Sequence, residues 1–140
     1  MKTNFRRVAV TIGLSAIVGA SLLMAGSGGR GTADIPFAFR VQDTELPQGA
    51  YLVEEMNGGS VLRILNEDTR ASILVMAPTR KSGTPGDPKL LFNRYGDRYF
   101  LSQVWFAGDD LGHTLNMGHL EKEIARTGGT PGIVASIHIK

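Results

Sequence analysis

Short runs of alternating apolar and polar residues, interrupted at close intervals by Gly, Pro, Asn and Asp, fill much of the chain from Ile35 onward. A period of two puts every second side chain on one face of an extended strand, and the interruptions leave little room for long helices. Ile35, Phe37, Phe39 and Val41 alternate with Pro36, Ala38, Arg40 and Gln42. Pro36 cannot donate to a ladder, so it belongs at a strand start or an edge. LPQG (46–49) reads as a turn with Pro presetting φ. AYLVEEM (50–56) and SVLRILN (60–66) flank Asn57-Gly58-Gly59, a hairpin signal because Asn and Gly accept positive φ. ASILVMAP (71–78) follows, ended by Pro78. RKSGTPGDP (80–88) reads as a solvated surface loop rather than an anion site on Arg80 and Lys81.

Residues 92–106, FNRYGDRYFLSQVWF, hold six of the ten aromatic residues. Gly96-Asp97 reads as a tight hairpin turn. Pairing around it sets Arg94 opposite Tyr99, Phe92 opposite Leu101 and Leu90 opposite Gln103, and facing pairs share one side of a sheet. One side then carries Leu90, Phe92, Tyr99, Leu101 and Trp105, expected to form the main core wall. The other carries Leu91, Tyr95, Phe100, Val104 and Phe106. Two apolar sides are unusual for a simple meander. The second side is expected to meet either another element or a partner, and Tyr95, Phe100, Val104 and Phe106 are its candidate binding surface.

TLNMGHLEKEIAR (114–126) offers a cover: Met117, Leu120 and Ile124 share one helical face, and Arg126 and Gly128-Gly129 suit a helix end. Gly118 weakens that helix. GIVASIHIK (132–140) alternates again as a last strand. The expected fold is all-β and mainly antiparallel, a small barrel or sandwich of about seven strands with one short helix near the C-terminus.

MKTNFRR opens the chain with Lys2, Arg6 and Arg7, and an 18-residue apolar or small run follows from Val8 to Ala25. A basic start before such a run is the layout of a secretory signal peptide. The run also reaches the lower length limit of a membrane-spanning helix. Its internal Gly13 and Gly19, and the small residues after it, favour removal over anchoring. Cleavage is expected after Ala33, with a site near Ala25 or Gly26 as the alternative, leaving 34–140 as a single exported domain. The protein is then periplasmic or extracellular, with membrane contact only through the leader.

The leader to Ala33 contains Lys2, Arg6, Arg7 and Arg30, so the remainder has 15 − 4 = 11 bases against 13 acids, a net charge of −2. The chain's basic balance therefore belongs to the leader and gives no nucleic-acid footprint. No cysteine is present, which excludes disulfides, thiol nucleophiles and thiolate metal sites.

GSGGRG (26–31) matches G-x-G-x-x-G formally, but no strand precedes it. Asp109, Asp110, His113 and His119 are residue types that ligate divalent metals, at a spacing that follows no structural template. A solvated polar loop is the preferred reading there, and no cofactor is expected. Glu54 and Glu55 are adjacent on a strand and point to opposite faces, so they cannot form a catalytic pair.

With its leader and the segments ADIPFAFRV, LPQGAYLV and RYGDRYFLSQVW, the chain resembles a group of small exported bacterial proteins of unassigned function. The resemblance implies export and a compact β domain and implies no reaction. The leading functional expectation is a non-catalytic exported domain that binds a protein partner or a small apolar ligand. A structural or envelope-associated subunit, self-associating through the aromatic hairpin, is the second. A metal-dependent enzyme built on the 109–119 loop is the third. An open apolar interior favours the first, a filled interior with an exposed apolar sheet face the second, and converging imidazoles and carboxylates in a cleft the third.

Overall fold

Pro36 divides the first alternating run between two sheets. The computed structural model describes residues 28–84, 86–132 and 135–139. Arg30–Ile35 (β1) joins one sheet, whereas Phe39–Val41 (β2) joins the other. The chain continues through Thr44–Leu46 (β3), Gly49–Met56 (β4), Val61–Asn66 (β5), Ser72–Met76 (β6), Thr79–Ser82 (β7), Lys89–Tyr95 (β8), Arg98–Trp105 (β9), Leu111–Thr114 (β10), the helix His119–Arg126 (α1) and Ala135–His138 (β11). One sheet has the order β1-β4-β5-β6. The other has seven strands, in the order β11-β8-β9-β10-β7, with β2 and β3 attached through β9. No barrel closes among the described residues, so the architecture is an all-β sandwich, mainly antiparallel.

Among the described residues eleven strands form, where about seven were expected. Pro36 makes two strands of one, and β3, β7 and β10 are segments of three or four residues whose polar composition hides any alternation. The hairpin at Asn57-Gly58-Gly59 forms as expected, with φ of 50°, 66° and 88°. The loop expected over 80–88 contributes its first residues to β7, which pairs with β10.

A β-bulge decides what the aromatic hairpin does. Arg94 faces Tyr99 and Phe92 faces Leu101, as the sequence predicts. Between Leu91 and Phe92 the register shifts, so that Leu91 faces Gln103 and Leu90 faces Val104. Ser102 is the extra residue, and a one-residue slip moves every later side chain to the opposite face. Val104 and Phe106 therefore enter the core with Leu90, Phe92 and Leu101. Trp105, expected in that wall, turns outward and is only half-buried. Opposite this wall, β1, β4, β5 and β6 contribute Ala33, Ile35, Tyr51, Val53, Leu62, Ile64 and Val75. Aromatic edges interlock at its centre: the Phe92 ring lies 5.1 Å from Phe37 and 5.5 Å from Phe39, and Phe39 lies 5.1 Å from Tyr51.

Helix α1 is shorter than the predicted 114–126, because Thr114 is already in β10. Leu120 and Ile124 are half-buried, and Met117 lies before the helix and is exposed. Gly118 stands at the N-cap, where a Cβ would come within 2.6 Å of the Gln42 backbone. Glycine there permits close approach, and Asp43 Oδ1 accepts the Leu120 N–H at 3.2 Å. The β2–β3 turn thus supplies the cap that the helix's own sequence lacks.

Strand β1 begins inside the stretch assigned to the leader. Arg30, Gly31, Thr32 and Ala33 pair with Glu54, Val53, Leu52 and Tyr51, and Ala33 is buried. The apolar run over 8–25 lies outside the described residues.

Candidate functional site

The four aromatic-hairpin residues expected to form a binding surface are all interior. Val104 and Phe106 face the other sheet because of the bulge. Tyr95 and Phe100 lie on the hairpin's other side, their rings 5.7 Å apart edge to face. Helix α1 covers this side through buried Glu121, whose Oε1 accepts Asn93 Nδ2 at 2.9 Å and the Tyr95 hydroxyl at 3.3 Å. Burial and the neighbouring Glu121 carboxylate push the Tyr95 phenol up, which keeps it a donor. Val104 and Phe106 escape the expected helix cover only because Ser102 inverted their side.

The 109–119 residues do not converge. Asp109 is half-buried, Asp110 and His119 are exposed, and His113 is fully buried. Among the described residues no three metal-ligating side chains gather. His113 instead points into the sandwich from β10 and meets Glu55 of β4, its Nε2 at Glu55 Oε1. Glu55 Oε2 accepts the Gly29 N–H at 2.9 Å. Arg80 of β7 reaches across the same end of the sandwich to the Gly58 carbonyl at 3.0 Å. Burial alone pushes the Glu55 carboxyl up. The Gly29 N–H, the His113 ring and the Arg80 guanidinium outweigh it and hold the carboxyl below its usual range.

A carboxylate oriented on an imidazole resembles half of an acid–base pair. His113 has no accessible surface, and its Nδ1 has no hydrogen-bond partner. The fully buried ring offers a substrate atom no surface to approach. The pair ties one sheet to the other. The signal for Glu55 was present in the sequence, since it shares strand parity with Tyr51 and Val53 and so faces inward with them.

The exposed apolar surface is elsewhere. Leu74 and Met76 on the outer face of β6 are 64% and 60% exposed. Met56 and Val61 adjoin Met76 through the β4–β5–β6 register. Strand β6 is the end of the four-stranded sheet, and no charged residue lies from Ala71 to Pro78. The Ala77 N–H donates to Ser60 O and the Ala71 carbonyl accepts the Asn66 N–H. With this alternation, Ser72, Leu74 and Met76 turn their main-chain groups to the free edge. No protein-family model, curated protein or solved structure matches the chain.

Proposed function

We propose that the protein is an exported, non-catalytic β-sandwich subunit that assembles with a second copy of itself along the free edge of β6. The carrying observation is the uncharged edge strand with Leu74 and Met76 exposed on it. Natural edge strands are commonly blunted by charge, Pro or bulges, and β6 has none of these between Ser72 and Met76. Antiparallel pairing about a two-fold axis at Leu74 sets Leu74 against its own copy and Ser72 against Met76. Each donor and acceptor of the edge then meets its symmetry mate. The interior is filled by the protein's own side chains, which argues against an internal apolar ligand.

Five paired residues per copy cover less than the roughly 1,200–2,000 Å² of a standard interface, so a weak dimer is expected. Native mass spectrometry over a concentration series should show dimer rising with protein concentration. Leu74→Lys places two ammonium groups face to face at the axis and should leave a monomer. Because Leu74 is mostly exposed, its melting should change by no more than about 0.5 kcal/mol. A wild-type chain that stays monomeric at millimolar concentration removes this reading.

The leader belongs to the same reading. Cleavage after Ala33 would strip four paired residues from β1 and with them a buried side chain. The site near Ala25 or Gly26 leaves the strand whole. N-terminal sequencing of exported protein is expected to begin before Gly28. A start at Asp34 would mean that only Asp34 and Ile35 of the six β1 residues remain to pair with β4.

A further inference from the structure

The outer face of the seven-stranded sheet carries an aromatic platform. Trp105 pairs with Lys89, and Gly112 pairs with Lys81. Because Val104 faces His113, the next residues, Trp105 and Gly112, are neighbours as well. One row across the sheet thus reads Lys89, Trp105, Gly112, Lys81. The indole lies over Gly112 and extends to Gly83, where an added Cβ would stand 2.5 Å from Cδ2 and from Cη2 respectively. Neither glycine has a positive φ, so backbone conformation does not require them. Room for the ring does. The indole N–H donates to Gln103 Oε1 at 2.9 Å, which holds the ring in its plane.

One indole face rests on the glycines, and the half-buried residue turns its remaining surface into a groove of about 390 Å³. That volume suits a small ligand. Lys81 and Lys89 lie in its lining together with Asp87 and Asp109. None of these four charges is in an ion pair among the described residues.

We infer that this groove binds an acidic saccharide. The negative face of an indole attracts the partly positive C–H groups on the flat side of a sugar ring. The lysine ammoniums receive a ring carboxylate, and the Asp87 and Asp109 carboxylates accept hydroxyl groups. A single-stranded nucleic acid also stacks on aromatics. An internal deoxynucleotide, however, has no free hydroxyl to donate to Asp87 and Asp109, whereas every saccharide ring does. The site is on the sheet opposite to β6, so it does not depend on self-association.

Trp105 is the only tryptophan, so its emission reports this groove alone. Titration of the purified protein with trigalacturonate should give a saturable emission change. Maltotriose, which lacks carboxylates, should bind at least tenfold more weakly. The double variant Lys81→Ala/Lys89→Ala should lose at least tenfold in trigalacturonate affinity while melting as the wild type does. Three results each overturn the assignment: no saturable change with trigalacturonate, an unaltered affinity in the double lysine variant, or tighter binding of oligodeoxythymidine than of trigalacturonate.

Discussion

Phe92→Ala is expected to cost about 3–5 kcal/mol of stability, a large part of the roughly 5–15 kcal/mol available to a small domain. Phe92 has no accessible surface and meets both Phe37 and Phe39 edge to face. Its removal leaves a cavity between two sheets whose facing strands are tied by their own ladders, so collapse around the gap is limited. Trp105→Ala should cost less, although tryptophan is the larger residue, because the indole lies on the outer face and keeps part of its surface in water. Urea melts of the two variants decide the order. If Trp105→Ala is the more damaging, the bulge at Ser102 is misplaced and the uninterrupted register of the hairpin is correct.

His113→Ala is the second large effect. It leaves the Glu55 carboxylate, whose side chain is 13% exposed, with the Gly29 N–H as its remaining direct partner. Removing one member of a buried pair typically costs about 3–5 kcal/mol, whereas replacing both by apolar residues is often neutral or better. Glu55→Leu combined with His113→Leu should therefore be more stable than His113→Ala. A double variant that is the less stable of the two would show that the pair itself contributes more than its desolvation costs.

The same group sets the acid limb of stability. The folded Glu55 carboxyl is held below its unfolded value, which is about 4.3. Its contribution is complete above that value and is lost as pH falls through the lower folded one. In wild-type protein, melting temperature should fall over that acid range. In Glu55→Gln the fall should be shallower, since the substituted amide does not titrate. Equal slopes in the two proteins would assign the acid limb to other carboxylates.

Parity along each strand was legible because it is a local property. The inward set Tyr51, Val53, Leu62 and Ile64 and the hairpin turns at Asn57-Gly58-Gly59 and Gly96-Asp97 follow from residue types within a few positions. So does the closing strand. The short strands β3, β7 and β10 were not legible. Their residues are polar, and what makes them strands is a partner elsewhere in the chain. Gly118 reads as a defect in a helix until the Gln42 backbone is seen against it.

The candidate sites divide in the same way. The sequence by itself determined the all-β class, the alternation that fills the core, the uncharged run from Ala71 to Pro78 and the absence of a thiol. Tertiary structure alone decided that Tyr95, Phe100, Val104 and Phe106 are interior, that His113 meets Glu55 58 residues away, and that Trp105 lies on glycine in an open groove. The physical reason is the exactness of the two-residue period. One unpaired residue, Ser102, inverts every side chain after it, and no local preference for Ser over its neighbours marks where a ladder will slip. Which side chain meets which across the sandwich is then set by how the two sheets pack.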